Sequence, residues 1–298
     1  MKVIGVDIGG TGIKSALVEC VTKEDGASYK ILSKSSVPTD SKGGRDRVIE
    51  NICLAVEKYV ADSDGAMIGV GSAGDVDDKT GIITYATNSL PGFTGLNLRE
   101  ILVNRFGTRV NVVNDAVAAL IGEAYTTDGL GERPMMLTLG TGLGCAVIND
   151  VRQPLGSGSV DNIRLGHICL HEDGRECACG LKGCAEQYVS ATALKKNAGT
   201  DNVKEILSNA IYKDAVDKFI EDFNSVLQYA VQKYSPSSII VGGGVVEMAE
   251  YWWDKLCAKC DKGIADKLVK AKLGNDAALI GSVYAAVVGK YGLQNENY

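Results

Sequence analysis

The sequence predicts an α/β protein built from two similar halves. Two apolar runs, at residues 3–6 and 135–139, are each followed by a glycine-rich turn and by a second apolar run, at 13–18 and 145–148. These strand–turn–strand units lie about 130 residues apart, a spacing that indicates an internal duplication. The length of 298 residues agrees with this interpretation, because it is roughly that of two domains.

The first half alternates strands and helices after its opening hairpin. Apolar residues recur at helical spacing over 48–60, and residues 66–70 form an apolar run typical of a buried strand. The polar, glycine-rich stretch 71–95 predicts loops with a short hairpin. A strand over 110–113 leads directly into a helix that we expect to begin near residue 116.

The second half ends in a long helix, a strand and a final helix. Apolar spacing predicts an amphipathic helix over 211–234, which Pro236 terminates. Residues 238–241 are a predicted strand that runs into three glycines, and 276–290 is a helical stretch rich in alanine and valine.

Composition and charge exclude several classes of protein. The formal net charge of -6 argues against a dedicated nucleic-acid binder, whose surface must neutralise phosphates. No apolar run reaches the roughly 18–20 residues of a membrane span, so we expect no membrane partner. Asp7 arrives too early for a secretory leader, and we expect the nine cysteines, an odd number, not to form a disulfide framework.

The two glycine turns carry groups that suit phosphate binding. Adjacent glycines let backbone N–H groups approach an anion closely, and an aspartate at a strand end suits a hydrated Mg²⁺. Neither turn fits a Walker loop or the dinucleotide fingerprint, because a strand follows each. Each turn alone reads equally well as a plain hairpin, but their matching positions favour a nucleotide site. The candidate residues are Asp7, Gly9, Gly10, Thr11 and Lys14, then Gly140, Thr141, Gly142 and Gly144, with Gly242, Gly243 and Gly244 suited to a ring or ribose.

Three cysteines within eight residues, Cys177, Cys179 and Cys184, predict a metal site. His167 and His171 both offer a fourth ligand. Three thiolates and one imidazole suit tetrahedral Zn²⁺, and a set of four protein ligands leaves no open position, so the site is expected to be structural. The alternative is a group of buried free thiols.

These segments resemble the ROK family of sugar kinases and repressors, within the actin-like and hexokinase-like ATPases. The resemblance is carried by the loop 7–14, by 113–116, by the loop 139–144, by Gly166-His167 and above all by 177–186. It implies two ribonuclease-H-like α/β domains flanking a central cleft. The N-terminal domain would comprise 1–115 plus about 280–298, and the larger C-terminal domain, with the zinc loop, would comprise 116–279.

The resemblance also implies an activity and a set of site residues. An ATP-dependent sugar kinase with Mg²⁺ would transfer the γ-phosphate to a hexose, by family habit at the 6-OH, with Asp115 as general base. His167 is selected as the fourth zinc ligand. The implied sugar-binding residues are Gly74, Asn88, Asn114, Asp115, Arg164, His167 and Glu186. The sequence position of Asp115 is also typical of a helix N-cap, and that of Glu186 is typical of a solvated carboxylate at a helix start.

The sequence departs from the family pattern on the expected sugar side. Family kinases carry Glu-x-Gly-His, whereas Arg164 stands in place of that glutamate, so an acceptor is replaced by a donor. Arg164 either points to solvent, alters the sugar subsite toward an acceptor or anionic group, or weakens kinase activity. Ser89 is an insertion in the family's Asn-Leu-Pro-Gly motif, Ala73 replaces a Pro-Gly pair, and Val117 replaces a common asparagine.

We therefore expect a glucokinase-like enzyme by default. The alternatives are a kinase of an N-acetylated, β-glucosidic or acidic sugar, and a non-catalytic sugar sensor. A repressor is disfavoured, because the phosphate loop begins at Asp7 and we expect no DNA-binding segment before it. A cytoplasmic location and a homo-oligomer, dimer or tetramer, follow from the resemblance.

Overall fold

The computed structural model describes residues 1–23, 26–63, 65–149 and 160–288 of the chain. Within these residues there are thirteen strands and nine α-helices. The strands are β1 Lys2–Ile8, β2 Gly12–Lys23, β3 Gly26–Pro38, β4 Met67–Ser72, β5 Asp75–Asp77, β6 Ile82–Tyr85, β7 Leu96–Asn97, β8 Val110–Asn114, β9 Met135–Leu139, β10 Leu143–Ile148, β11 Val160–Asn162, β12 Ile239–Gly242 and β13 Leu268–Lys270. The helices are α1 Gly44–Val60, α2 Leu98–Phe106, α3 Asp115–Thr126, α4 Ala191–Ala198, α5 Val203–Ser208, α6 Lys213–Tyr234, α7 Trp253–Lys259, α8 Lys262–Ala265 and α9 Ala277–Val288. None of the described helices is both long and apolar enough to cross a bilayer.

Contacts divide the chain into two compact units. The first contains 1–129, the described part of 149–162 and the chain from Asp276 through α9; the second contains 130–148 and 163–275. Helix α3 groups with the first unit because it packs closely against α9. The sequence instead places 116–129 in the second domain, and those domain boundaries stay a prediction.

The first unit is built on a five-stranded sheet with the order β3-β2-β1-β4-β8. β1 pairs antiparallel with β2 through the first glycine turn and parallel with β4, which in turn pairs parallel with β8. Apolar residues of α1, such as Val48 and Ile52, share a buried core with Ile4 and Ile68 of the sheet. On β1 and β4, Gly5 and Gly69 leave room for α9, because a β-carbon at Gly69 would overlap the carbonyl oxygen of Ser282 and one at Gly5 would lie 2.8 Å from Cγ2 of Val283.

The second unit repeats this arrangement. β9 pairs antiparallel with β10 through the second glycine turn and parallel with β12, and β13 adds to β12 in parallel. Leu137 and Val241 of this sheet lie in a core with Phe219 and Phe223 of α6 and with Trp252. The duplication predicted from the two glycine turns is thus present in the strand pairing.

Several element boundaries differ from those expected. The stretch 71–95 contains the predicted short hairpin as β5 and β6, and β7, which lies just after this stretch, extends it to a three-stranded antiparallel sheet. Helix α6 starts at Lys213 rather than 211, because 210–212 form a separate turn that the side chain of Asn209 caps. Helix α9 is described to Val288, so the predicted end at residue 290 lies outside the described residues.

Candidate active site and metal centre

Three predicted site residues of the first unit meet at one edge of its sheet. Ile8 of β1 lies opposite Ser72 of β4, and Ser72 lies opposite Asn114 of β8. Because these strands are parallel, their carboxyl ends share an edge. Asp7, Gly74 and Asp115 therefore lie near one another, although they are far apart in the sequence.

Asn114 is the N-cap of helix α3. Its side-chain oxygen accepts from the backbone N–H groups of Ala116 (2.9 Å) and Val117 (3.1 Å). Its Nδ2 donates to the carbonyl of Gly74 (2.8 Å) and to Oδ1 of Asp115 (3.0 Å). The amide thus has protein partners for both acceptor sites and both donors. Asn114 orients Asp115 in this way, and its predicted sugar contact stays a prediction.

Asp115 is the first residue of α3, and the N-cap role that its sequence position also suggested belongs to Asn114. Burial and the nearby charge of Asp7 raise the pKa of Asp115 to about 7. Its Oδ1 also accepts from the N–H of Ala116 at 2.8 Å, which opposes this rise. A carboxylate with a pKa near neutrality has the basicity that proton abstraction from a hydroxyl group requires.

Asp7 pairs with Lys14 across the first hairpin. The two residues are opposite each other in the β1–β2 register, and Lys14 Nζ lies 3.2 Å from Asp7 Oδ2. Burial raises the pKa of Asp7, and the ammonium group of Lys14 opposes this effect. The pair places a carboxylate and a cation beside the first glycine loop, where Mg²⁺ and phosphate are expected.

The first glycine loop is held by two hydroxyl groups that the sequence analysis missed. Thr39, which is fully buried, donates its hydroxyl to the carbonyl of Gly9 at 2.6 Å and its N–H to the carbonyl of Thr11 at 3.2 Å. Ser41 donates to the carbonyl of Gly10 at 3.2 Å. Threonine and serine after a proline are a weak signal, because such residues are common in any turn.

The inserted residue Ser89 contacts this same loop. A β-carbon at Gly10 would lie 2.9 Å from Cβ of Ser89, and the carbonyl of Ser89, 2.5 Å from Oγ of Ser41, shares the single hydroxyl proton of Ser41 with the carbonyl of Gly10. Asn88, the predicted sugar ligand, is exposed in the adjoining turn. Ser89 therefore limits the space available at Gly10, whereas a sugar contact of Asn88 stays a prediction.

The second glycine loop adjoins the triple glycine that follows β12. Gly140 donates its N–H to the carbonyl of Gly142 at 3.1 Å. Gly243 has a φ of 88°, and a β-carbon there would lie 2.5 Å from the carbonyl oxygen of Leu139. Only glycine fits this position, both for its conformation and for its close approach to β9.

His167, Cys177, Cys179 and Cys184 lie together, as predicted. Their ligand atoms are all within 4.8 Å of one another. Nδ1 of His167 is 3.7 Å from Sγ of Cys177, and Sγ of Cys179 is 3.6 Å from Sγ of Cys184. A tetrahedral Zn²⁺ site has ligand separations of about 3.5–3.8 Å, since Zn–S is about 2.3 Å and Zn–N about 2.0 Å. The donor set therefore fits structural zinc.

Glu186 connects this cluster to the second glycine loop. Its Oε1 lies 2.9 Å from Sγ of Cys177 and 3.7 Å from Nδ1 of His167. Its Oε2 would lie 2.6 Å from a β-carbon at Gly142. One carboxylate thus contacts the metal cluster on one side and the backbone of a predicted phosphate loop on the other.

Arg164 lies at the start of the turn that carries His167. Arg164 is exposed, and its backbone carbonyl accepts a hydrogen bond from the N–H of His167 at 3.0 Å. A guanidinium here can meet a group entering from solvent. Its predicted role as a sugar contact stays a prediction.

Comparison with known proteins places this chain among sugar kinases. It matches the profile of the ROK family over residues 3–288. It is 28% identical to a glucokinase of Thermotoga maritima, over 95% of this chain and 96% of that protein. It is 27% identical to an N-acetyl-D-glucosamine kinase of Aliivibrio fischeri, over 94% of this chain and 97% of that protein.

A solved structure extends the similarity to the fold. The ROK family glucokinase from Streptomyces griseus, in complex with glucose and AMPPNP, superposes with a TM-score of 0.78 and 29% identity. The match covers 95% of this chain and 98% of that one. This similarity confirms the predicted fold class of two actin-like α/β domains.

Proposed function

This chain belongs to the ROK family and is an ATP-dependent sugar kinase, and we propose that it phosphorylates a hexose or a hexose derivative at the 6-OH. The observation that carries the proposal is Asp115. Its carboxylate is oriented by Asn114 and has a pKa raised to about 7. Such a group can accept the proton of a sugar hydroxyl while the oxygen attacks the γ-phosphate.

The neighbouring groups serve positioning and charge neutralisation, which phosphoryl transfer needs most from a protein. In this proposal the N–H groups of Gly10 and Thr11 in the first loop and of Thr141 and Gly142 in the second bind phosphate oxygens. Gly242, Gly243 and Gly244 border the nucleoside. Asp7 would hold a hydrated Mg²⁺, which would neutralise phosphate charge. Lys14 beside it adds a positive charge at the same place.

The metal cluster has a structural part in the proposal. His167, Cys177, Cys179 and Cys184 would hold Zn²⁺, which when bound would cross-link the segment and leave no position open for chemistry. His167 and Glu186 would then be fixed on one rigid segment. This arrangement suits residues that bind sugar hydroxyl groups, because supporting contacts determine how well a binding group is placed.

Two observations favour different sugars. Glucose is the default, since relatives named glucokinase match nearly the whole chain. Arg164 favours a second candidate, a sugar derivative with an N-acetyl, β-glucosidic or acidic group, because a guanidinium only donates hydrogen bonds and pairs well with anions. A cytoplasmic location and a dimer or tetramer belong to the same proposal and rest on the family resemblance.

Turnover across a sugar panel tests this function. ADP release with Mg-ATP would be measured with glucose, mannose, N-acetylglucosamine, N-acetylmannosamine, a β-glucoside and glucuronate. We expect one sugar to give turnover that Asp115→Asn reduces by about 10²-fold or more. Asp62→Asn, which alters an exposed carboxylate, is the matched control and should keep normal turnover.

Two further results decide between the candidates. A change of preferred sugar in Arg164→Glu would place Arg164 at the sugar. Turnover of Asp115→Asn within tenfold of the parent would exclude Asp115 as the base. Binding of ATP without turnover of any sugar would instead support a non-catalytic sensor.

A further inference from the structure

Cys169 and Cys184 lie opposite each other on two antiparallel segments, 168–170 and 183–185, of the chain that carries the four predicted metal ligands. The N–H of Leu170 donates to the carbonyl of Gly183 at 2.8 Å, and the N–H of Ala185 donates to the carbonyl of Ile168 at 3.0 Å. These bonds flank the bridge between Cys169 and Cys184, so the two cysteines form a non-hydrogen-bonded pair. Directly opposed residues of this kind have the closest side chains in an antiparallel ladder.

The two thiols differ in their surroundings. Cys184 is fully buried and belongs to the metal set, with its Sγ 3.6 Å from that of Cys179. Cys169 is exposed and lies outside that set. Its Sγ lies beside Gly183, 3.3 Å from where a β-carbon would stand. An accessible sulfur therefore lies opposite a buried sulfur that the metal would use.

We propose that Cys169 is an oxidation site that forms a disulfide with Cys184 and thereby opens the metal set. The separation of about 4.5 Å between α-carbons in such a pair falls within the range of disulfides, so a rotation of the Cys169 side chain suffices. The effect on metal rests on the zinc site proposed above; the disulfide itself requires only the pairing of the two thiols.

The reaction requires a peroxide as the oxidant. The sulfur of Cys169 attacks hydrogen peroxide, so an S–O bond forms, the O–O bond breaks and the released hydroxide takes the thiol proton to give water. The sulfur of Cys184 then attacks the sulfenic sulfur, so the S–S bond forms and the second hydroxide leaves and is protonated. Each sulfur loses one electron and the peroxide gains two.

Loss of Cys184 as a ligand would affect the residues that follow it. Glu186 is two residues further on, beside Cys177 and Gly142. We therefore expect oxidation to lower kcat/KM for the sugar, and reduction in the presence of zinc to restore it. A reversible disulfide of this kind is typical of redox sensing in reducing compartments.

Peptide mapping tests the pairing directly. Trypsin cleaves after Arg164, Arg175, Lys182 and Lys195, which separates Cys169 (165–175) from Cys177 and Cys179 (176–182) and from Cys184 (183–195). Zinc-loaded full-length protein would be treated with hydrogen peroxide, and zinc release would be followed with a chromogenic chelator. We expect a linked 165–175/183–195 peptide that disappears on reduction and accumulates in parallel with zinc release.

Variants separate this proposal from general oxidation of the cluster. Cys169→Ser should hold zinc normally and release it about tenfold more slowly, because the neighbouring thiol is lost. Cys257→Ser, which removes a half-buried thiol elsewhere, should behave as the parent. Equal release by Cys169→Ser, or a dominant 176–182/183–195 peptide, would overturn the proposal. Absence of zinc before oxidation would refute the zinc site alone, and the mapping would still decide the disulfide.

Discussion

Nε2 of His171 lies 2.8 Å from Oδ1 of Asp222, and this contact joins the segment between His167 and Cys177 to helix α6. The side chain of Asp222 is only 4% exposed, and its other oxygen is buried without a partner. Lys218, one turn earlier on α6, also donates to Oδ1 at 2.9 Å. The ring of His171 meets that of Tyr188 edge-on at 4.3 Å. His171 is thus engaged outside the cluster, whereas His167 lies with the three cysteines.

We expect His171→Leu to lower the free energy of unfolding by about 2–4 kcal/mol, because it removes a partner of a buried carboxylate. Lys213→Met is the matched control. Lys213 pairs with Asp217 on the same helix, and both side chains of that pair are exposed, so the loss should be about 1 kcal/mol or less. Urea denaturation followed by circular dichroism measures both. Equal losses would show that His171 contributes no more than a surface charge.

Activity should depend on pH through Asp115. The base acts only when ionised, and its pKa is raised to about 7, so kcat/KM should rise about tenfold per pH unit below 7 and level off above it. The residual activity of Asp115→Asn should lack this dependence. A parent profile that is flat from pH 5.5 to 8 would contradict the assignment.

The same carboxylate should reduce stability at neutral pH. Because the pKa of Asp115 is higher in the folded protein than in the unfolded chain, the folded state binds more protons between about pH 4 and 7. Stability from this group is therefore present below pH 4 and lost as pH rises through 7. We expect Asp115→Asn to be more stable than the parent by about 1–4 kcal/mol at pH 8, and little different at pH 4. Thermal or urea unfolding of protein free of nucleotide and Mg²⁺ at both pH values checks this.

A methyl group at Gly142 should displace the side chain of Glu186. A β-carbon at Gly142 would lie 2.6 Å from Oε2 of Glu186, so Gly142→Ala must displace that carboxylate. We expect KM for the sugar to rise about tenfold, the value of one lost hydrogen bond to a charged group. Gly140→Ala, in the same loop, meets nothing within 4 Å and is the control. Equal sugar KM values for the two variants would exclude Glu186 as the affected group.

Thr39 should control the affinity for ATP. Thr39→Val removes the hydroxyl that bonds to the carbonyl of Gly9 while keeping the side-chain shape. The lost hydrogen bond should destabilise the ordered loop by about 1 kcal/mol. This should raise KM for ATP about fivefold and leave KM for the sugar nearly unchanged. Thr39→Ser should restore the parent value. A Thr39→Val variant with unchanged KM for ATP would show that the loop does not need this bond.

Local sequence patterns predicted those strands, turns and helices whose periodicity or turn residues fall within one short stretch of the chain. The two glycine turns, the strand before Asn114 and the long helix α6 all follow from periodicity and turn residues over short windows. The three cysteines of the predicted metal site follow from their close spacing, whereas the resemblance to the family selected His167 over His171. The hairpin within 71–95 was also predicted, but β7 was not, because a strand of two residues is too short to show alternation.

Other features depend on neighbours from distant parts of the chain. The buried hydroxyl of Thr39 reaches Gly9 across thirty residues, and Ser89 meets Gly10 across a longer interval. The His171–Asp222 pair and the opposed thiols of Cys169 and Cys184 likewise depend on chain crossings that no local pattern encodes.

The sequence by itself determined the family, the duplicated α/β architecture and the residue types at the site, because these are written in periodicity and in motif spacing. Only the tertiary structure decided how those residues act on one another. The pKa of Asp115 depends on burial and on the charge of Asp7, and the position of Glu186 depends on Cys177 and Gly142. Such effects vary with distance and solvent exposure, which exist only once the chain is folded.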